Sequence, residues 1–173
     1  MTIIVMRPNE GTPIDLTVLK SLLPVGSYPS QTVLNTWIKM AVQWLEMRLN
    51  QAFLTQTIQI ISRNNRIPLS RRPFIHLLNV KQKGKVLNPS QYILEKNSAG
   101  LEEVLVPFQW KSPSITVEYE AGYGETFDSV PVVFRQVIMN TVKHLCEHTG
   151  DPKGLNDSLE PWLAAGHRTY RLW

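Results

Sequence analysis

Residues 114–125 read SITVEYEAGYGE, and they mark the point where the periodicity of the chain changes. Up to Ala121 apolar and polar residues alternate, which predicts a β-strand. After Pro131 apolar residues recur at intervals of three and four, which predicts an α-helix. Because glycine has no Cβ, Gly122 and Gly124 can both adopt positive φ. We therefore predict that Gly122, Tyr123 and Gly124 form a hinge between a sheet and a helix.

The composition is that of a chain with a buried core. It has 173 residues, of which 43% are hydrophobic and 18% are charged, so a disordered polyelectrolyte is excluded. The net charge of +4 does not by itself establish nucleic-acid binding. Cys146 is the single cysteine, which excludes an internal disulfide and suits a reducing compartment. The first residues, MTIIVMRP, do not resemble a signal peptide, and no apolar run approaches the length of a membrane span.

Helical periodicity occurs towards both ends of the chain. Asp15 and Ser30 are the predicted N-caps of the first two helices, because each precedes an apolar-periodic segment. The last predicted helix is followed by a polar and aromatic C-terminal tail, residues 166–173. The four predicted helices span about 14–23, 30–52, 131–149 and 155–165.

The second predicted helix has two apolar stripes. Leu34, Ile38, Ala41, Leu45 and Leu49 lie on one face. A second stripe, about 100° away, consists of Val33, Trp37, Met40, Trp44 and Met47. So wide an apolar surface must be buried on more than one side. The pattern alone leaves two interpretations open, namely two buried faces in one core or one core face and one subunit interface.

The middle of the chain, about 54–121, has the signature of a β insertion. Short extended runs alternate with turn residues such as Asn64–Asn65 and Lys83–Gly84. We predict an α+β fold in which N-terminal and C-terminal helices form a helical core with an inserted antiparallel sheet. The sheet would be a meander of about five short strands, and residues 1–173 would form a single domain. The runs read TQTIQIIS, RIPLS, FIHLLNVKQ, KVLNPSQYIL, LEEVLVP and SITVEYEA.

One segment, HLCEH at residues 144–148, fits the inverted zinc-protease pattern H-x-x-E-H. Its spacing places His144 and His148 on one helix face as two zinc ligands, with Glu147 as a general base. A third ligand cannot be singled out, and histidines at the polar C-terminal end of an amphipathic helix explain the same residues. Cys146 falls on the apolar side of this helix, as a small core residue does. We predict no cofactor, no metal and no catalytic residue.

Basic residues cluster in the β insertion. Such loops can contact a phosphate backbone, although solvated turns have the same composition and no aromatic residues accompany them at base-stacking spacing. A solvated, solubilising turn is the commoner meaning of such a cluster, and contact with DNA or a protein partner is the functional alternative. The clustered residues are Arg63, Arg66, Arg71, Arg72, Lys81, Lys83 and Lys85.

Three stretches resemble the head–tail connector proteins, also called adaptor or head-completion proteins, of long-tailed bacteriophages and gene transfer agents. The first is AFLTQTIQI, residues 52–60, where a helix runs into a strand. The second, within residues 115–148, is ITVEYEAGYGE followed by VPVVFRQVIMNTVKHLCEH, similar to the family's Ala-Gly-Tyr-Gly, Val-Pro, Arg-Gln and His-x-x-Glu elements. The third is the terminal PWLAAGHRTYRLW, which lacks the proline that often directly precedes Tyr-Arg in the family.

The resemblance implies a structural, non-enzymatic protein of the virion, located at the head–tail interface and assembled in the bacterial cytoplasm. It implies a ring of about twelve copies beneath the portal, in which each copy uses two different faces. The ring extends the channel for double-stranded DNA without sequence specificity, and it docks a stopper or tail component. The resemblance also implies that the C-terminal tail binds the portal, through His167, Arg168, Tyr170, Arg171, Leu172 and Trp173.

Two other functions compete with this one. The first is another connector component, such as a stopper or a tail-terminator, which would be β-dominated throughout. The second is a small zinc hydrolase built on His144, Glu147 and His148. The His-x-x-Glu of the resembled family lies in a structural helix, which favours the structural interpretation of these residues.

Overall fold

The computed structural model describes residues 1–7, 10–23, 29–98, 100–107 and 114–148. The chain divides into two compact units. The β unit comprises Met1–Glu10 and Thr55–Tyr123. The helical unit comprises Gly11–Leu54 and the described residues from Gly124 onward. The predicted helix over 155–165 and the tail 166–173 lie outside the described residues.

The helical unit contains three helices, α1 (Leu16–Leu22), α2 (Gln31–Leu49) and α3 (Val132–Glu147), in the part of the chain described. They fall within the ranges predicted from periodicity. Both predicted N-caps are confirmed. Asp15 Oδ1 accepts a hydrogen bond from the backbone N–H of Thr17 at 2.7 Å, and Ser30 Oγ accepts one from that of Val33 at 3.4 Å. None of these helices is long and apolar enough to cross a bilayer.

The core of the helical unit lies where α2 packs against α3. The Leu34 stripe of α2 (Leu34, Ile38, Ala41, Leu45, Leu49) is buried along its whole length. Phe53 and Phe134 extend this core with ring centroids 5.5 Å apart. On α3 the buried residues recur at helical spacing: Phe134, Val137, Ile138, Thr141, Val142 and Leu145. Thr141 satisfies its hydroxyl by donating to the carbonyl oxygen of Val137 at 2.8 Å.

The β unit contains strands at all six runs expected from alternation, and one more at the N-terminus. Lys83 and Gly84 have φ of 51° and 76° in the turn between two of the strands. A short 3₁₀ turn over Pro89–Gln91 interrupts the run KVLNPSQYIL. The strands are β1 (Thr2–Arg7), β2 (Gln56–Ser62), β3 (Arg66–Pro68), β4 (Phe74–Gln82), β5 (Lys85–Val86), β6 (Ile93–Lys96), β7 (Glu102–Leu105) and β8 (Ile115–Ala121).

The strand order corrects the predicted meander. The strands form two antiparallel sheets, a five-stranded sheet in the order β1-β2-β8-β4-β5 and a three-stranded sheet in the order β3-β7-β6. In the larger sheet β2 pairs with β8 rather than with β3, the strand that follows it in sequence. The reason is complementary burial, since both strands alternate buried and half-buried residues over seven positions. Ile58 and Ile60 thereby share one buried face with Val117 and Tyr119.

Strand β1 corrects the prediction that the sheet lies wholly within 54–121. Thr2–Arg7 pairs antiparallel with β2, with Ile3 opposite Ile60 and Val5 opposite Ile58. Helices α1 and α2 separate these two strands in sequence. The α+β fold class, with helices from both ends and an inserted antiparallel sheet, is confirmed.

The Gly122–Gly124 segment is where the chain passes from the β unit into the helical unit. Gly122 has φ of 143° and Gly124 has φ of 150°, a region that favours glycine. The N–H of Gly122 donates to the carbonyl oxygen of Pro73 at 3.0 Å. A Cβ on Gly124 would come within 2.5 Å of Ser129 Oγ, so a larger residue is excluded there on two counts. The hinge role of Gly122, Tyr123 and Gly124 stays a prediction.

Candidate functional site

The second apolar stripe of α2, named here the outward stripe, lies outside the core of the chain. It consists of Val33, Trp37, Met40, Trp44 and Met47. Met47 is 63% exposed, and Val33 and Met40 are each 40% exposed. Trp37 and Trp44 are half-buried. The sequence leaves two interpretations of this stripe open. Because its residues are exposed or half-buried, the described residues do not show two faces buried in one core. The other interpretation, that the stripe is a subunit interface, stays a prediction.

The outward stripe is held in place by the ends of α2. At its N-terminus Ser30 caps the helix. At its C-terminus Asn50 adopts a left-handed conformation with φ of 52°, and its N–H donates to the carbonyl oxygen of Glu46. Glu46 Oε1 also accepts a hydrogen bond from the backbone N–H of Phe53 at 2.9 Å. Helix α2 is therefore fixed at both ends of the outward stripe, so the side chains of the stripe lie on a rigid element.

The geometry of the outward stripe suits packing against another helix. Its residues follow one another at intervals of four, three, four and three, the spacing of a helix–helix seam. From Val33 to Met47 the stripe is about 21 Å long, at 1.5 Å per residue. Tryptophan is enriched among the residues that dominate interface energetics. An apolar strip of this length on a rigid helix is a candidate assembly surface.

Two of the seven predicted basic residues are neutralised within the β unit. Arg66 Nη1 lies 2.6 Å from Glu103 Oε1 and 3.2 Å from Glu95 Oε1. The hydrogen bond to Glu103 and its charge raise the pKa of Arg66. Lys81 Nζ lies 2.8 Å from Glu118 Oε1. Because these ion pairs neutralise Arg66 and Lys81, fewer positive charges are available to a partner than the sequence indicates.

The other five basic residues differ in exposure. Lys83 and Lys85 are exposed on the turn that joins β4 to β5, and Arg63 is exposed after β2. Arg71 and Arg72 are half-buried. The Nε atom of Arg72 is buried without a hydrogen-bond partner among the residues described. Of the seven, the lysines at this turn combine exposure with the absence of an ion pair among the described contacts.

A polar network surrounds Glu118 on the face of the larger sheet opposite to the buried one. Besides Lys81, the side-chain amide of Gln59 donates to Glu118 Oε1 at 3.0 Å, and that of Asn79 donates to Oε2 at 3.1 Å. The hydrogen bond from Lys81 is the main reason that the pKa of Glu118 is lowered. The network ties three neighbouring strands, β2, β8 and β4, into one rigid plate.

On the buried face of the same sheet, Tyr119 is fully enclosed. Its hydroxyl oxygen accepts a hydrogen bond from the backbone N–H of Arg71 at 3.1 Å. Its ring lies 6.2 Å from that of Phe74, measured between centroids. Burial raises the pKa of Tyr119 to about 12, so it stays neutral. Burial and the hydrogen bond from Arg71 thus give this tyrosine a structural environment.

The residues of the H-x-x-E-H pattern form no metal centre within the described chain. No group of three or more His, Cys, Asp or Glu residues that could hold a metal occurs there. The rings of His144 and His148 stack 4.1 Å apart, and His148 Nδ1 lies 2.8 Å from the carbonyl oxygen of His144. Glu147 lies 3.8 Å from Lys143. Burial raises the pKa of the half-buried Cys146 thiol, which disfavours the thiolate that a nucleophile requires.

A small groove in the helical unit has a volume of about 200 Å³. Its lining is mainly apolar with one aspartate and one arginine: Asp15, Val18, Val132, Arg135 and Met139. Arg135 Nη1 lies 3.7 Å from Asp128 Oδ1, and the guanidinium carbon of Arg135 lies 6.0 Å from the centroid of the Phe127 ring. The groove is smaller than the cavities that enclose drug-sized ligands.

The predicted portal-binding residues, His167, Arg168, Tyr170, Arg171, Leu172 and Trp173, lie outside the described residues. A surface missed from sequence is β1, where Ile3, Ile4, Val5 and Met6 are between 38% and 51% exposed. The available signal was the run TIIV, whose β-branched residues are typical of strands.

Solved structures with the same fold come from the necks of gene transfer agent (GTA) particles. A chain from the neck of the empty GTA particle, computed with C6 symmetry, superposes with a TM-score of 0.72 at 14% identity, covering 94% of this chain and 95% of that chain. A chain from the neck of the native GTA particle, computed with C12 symmetry, gives 0.71 at 16% identity and covers 94% of each. A chain of the native GTA virion gives 0.68 at 14% identity, over 85% of this chain and 84% of that chain.

No protein-family model matches this sequence, and no curated protein sequence matches it. At 14–16% identity the likeness establishes a shared fold. That fold covers nearly the whole of both chains, so it includes the helices at both ends and the β insertion together.

Proposed function

We propose that this chain is a structural head–tail connector, an adaptor of a phage or phage-like particle. It forms a ring beneath the portal that extends the DNA channel and docks the next connector or tail component. The observation that carries the proposal is the fold shared with GTA neck chains over 94% of the sequence at a TM-score of 0.72. The sequence stretches that resemble connector proteins support it independently.

The symmetry of those neck structures and the surfaces of this chain support the proposed ring. The neck structures were computed with C6 and C12 symmetry, which supports a cyclic arrangement of about twelve copies. A closed ring of identical copies needs two different contact surfaces on each copy. We assign the outward stripe of α2 to one of these contacts, because it is apolar, lies on a rigid helix and is exposed or half-buried in the single chain.

The stripe assignment is tested by truncating tryptophan. In the variant Trp44→Ser, we expect the number of copies bound to each portal ring to fall sharply, because an interface tryptophan commonly contributes about 2 kcal/mol or more. Lys39→Ser on the opposite side of α2 is the matched control and should assemble normally. Mass photometry of protein–portal mixtures measures the stoichiometry. Normal ring occupancy with Trp44→Ser would remove the stripe from the subunit contact.

The tail is assigned to the portal. Removing residues 167–173 should abolish portal binding while leaving the far-ultraviolet circular dichroism spectrum and the unfolding midpoint unchanged. The six named residues of this segment include arginine, tyrosine and tryptophan, which dominate interface energetics. Pull-down by an immobilised portal is the measurement. If the shortened protein docks as well as the full chain, the portal contact lies elsewhere.

The DNA-facing role rests on the turn lysines rather than on all seven basic residues. Lys83 and Lys85 are exposed, whereas Arg66 and Lys81 lie in ion pairs with carboxylates. A channel lining needs only backbone-type attraction, since the DNA passes through without base readout. The proposal assigns no catalytic residue, as expected of a connector, and it is supported by the fold that this chain shares with GTA neck chains. A stopper or tail-terminator is the alternative assignment within the same neck.

A further inference from the structure

The larger sheet of the β unit has two edges that other described strands leave open. On one side, β1 pairs only with β2, so its outer edge has no partner among the described residues. On the other side, β5 pairs with Lys81 and Gln82 at the end of β4, and Leu87 donates to the carbonyl oxygen of Val80 at 2.8 Å. The outer edge of β4 over residues 74–79 is therefore also open in this part of the chain.

The two open edges match in length and direction. Each spans six residues, 2–7 in β1 and 74–79 in β4. Every neighbouring pair from β1 through β2 and β8 to β4 is antiparallel, so β1 and β4 run in opposite directions. A rotation of about 30° between adjacent copies of a twelve-membered ring nearly preserves strand direction. The β1 of one copy would therefore meet the β4 of the next in antiparallel orientation.

Both edges also expose apolar side chains where soluble proteins usually protect a sheet edge. Strand β1 exposes Ile3, Ile4, Val5 and Met6 in succession, without a charge before Arg7. Charged residues are the common protection against edge-to-edge pairing, and an exposed apolar edge strand is a site of association. On β4, Ile75 and Leu78 are 42% and 39% exposed. These two residues lie at the register shifts of β4 against β8, which releases them from the regular pairing.

We propose that the open edge of β1 in one copy pairs with residues 74–79 of β4 in the next copy, which joins the five-stranded sheets into one continuous band. The occupant of each edge is thus a second copy of this chain. This inference rests on the proposed ring, and it supplies a contact separate from the outward stripe of α2. Main-chain hydrogen bonds hold the junction, and the exposed apolar residues of both edges are covered by it.

Pairs of engineered cysteines test the proposal, in a background in which Cys146→Ser removes the native thiol. Ile4→Cys is combined in turn with Ile75→Cys, His76→Cys or Leu78→Cys, and rings assembled on the portal are oxidised. Opposite residues on neighbouring strands are close enough for a disulfide. At least one double variant should give a ladder of covalent trimers and larger species on a non-reducing gel. Each single variant can give dimers at most.

A lysine variant of the full chain provides the second readout. Ile4→Lys places a charge on the β1 edge and should reduce ring assembly at least tenfold, because lysine on an edge opposes further pairing. Thr57→Lys is the matched control, since Thr57 lies on the same sheet face in the interior strand β2. It should assemble like the unmodified chain.

The outcomes separate the junction from the ring itself. Rings that form normally, with no ladder beyond the dimer in any double variant, would overturn the strand pairing and leave the connector proposal intact. In that case the register shifts of β4 at Ile75 and Leu78 serve to protect the open edge of β4 from pairing with another strand. A ladder from a protein that never forms rings on the portal would support the pairing and overturn the connector proposal. Absence of both would overturn both.

Discussion

The helical unit and the β unit expose apolar surface in different ways. In α2 the buried and exposed apolar residues lie on separate faces of one helix, so Leu45 belongs to the core and Met47 does not. In β1 Ile3 and Val5 lie across from buried residues of β2, yet both are exposed as well. Helical periodicity thus separates the residues that stabilise the fold from those available for assembly, whereas an edge strand uses the same residues for both.

This difference explains why the two surfaces need different tests. A substitution on the outward stripe of α2 should change assembly and leave the fold intact. A substitution on β1 changes the pairing with β2 as well, so cysteine and lysine variants on its exposed face test assembly more cleanly than truncations do.

The largest effect should come from the core of the helical unit. Leu45→Ala should lower the free energy of unfolding by about 2–5 kcal/mol, because it removes a fully buried side chain and leaves a cavity. Met47→Ala, two residues further along α2 and 63% exposed, should change it by less than about 0.5 kcal/mol. Chemical denaturation followed by circular dichroism compares the two. Equal costs would mean that α2 does not separate core from assembly face.

A smaller effect is expected in the core of the β unit. Tyr119→Phe should cost about 1–2 kcal/mol at neutral pH, because the backbone N–H of Arg71 loses its acceptor. Burial raises the pKa of Tyr119 from its usual 10.0 to about 12, so the neutral form stabilises the fold. That contribution is complete below pH 10 and is lost as the pH rises through 12.

Denaturation of both proteins between pH 8 and pH 12 checks this prediction. The difference in stability between the unmodified chain and Tyr119→Phe should shrink as the pH rises above the usual pKa of 10.0. A difference that stays constant over this range would place the tyrosine hydroxyl in contact with solvent.

The smallest effect should come from the polar face of the same sheet. Glu118→Gln should cost less than about 1 kcal/mol, since solvent screens much of the interaction with Lys81. The pKa of Glu118 is lowered from its usual 4.5, so its charge stabilises the fold above that pH. The contribution is lost as the pH falls through the lowered pKa. The two proteins should therefore differ at pH 7 and converge at pH 2–3, and a difference that persists in acid would contradict this account.

Local signals were enough to predict the three described helices and most strands. Asp15 and Ser30 are N-caps as their side chains indicated, and all six extended runs of the β insertion contain strands. Strand order was not predictable in this way, because the partner of β2 is β8, more than fifty residues later. Strand β1 was missed because apolar residues on both of its faces hide the alternation that identifies a strand.

The candidate site was predictable only in part, for a related reason. Periodicity identifies the outward stripe, but its exposure depends on which face α3 covers. Arg66 and Lys81 look like partner-binding cations in sequence, yet Glu103 and Glu118 neutralise them across neighbouring strands. Exposed apolar surface and satisfied charge are both properties of the folded arrangement, so composition and spacing alone do not determine them.

The central claim is that this chain forms a ring coaxial with a portal. Electron microscopy of the full-length protein, alone and mixed with its cognate portal, tests it most directly by determining rotational symmetry. We expect a ring of about twelve copies seated on the portal, with helices at the subunit contacts. Particles that remain monomeric and leave the portal bare would contradict the connector function.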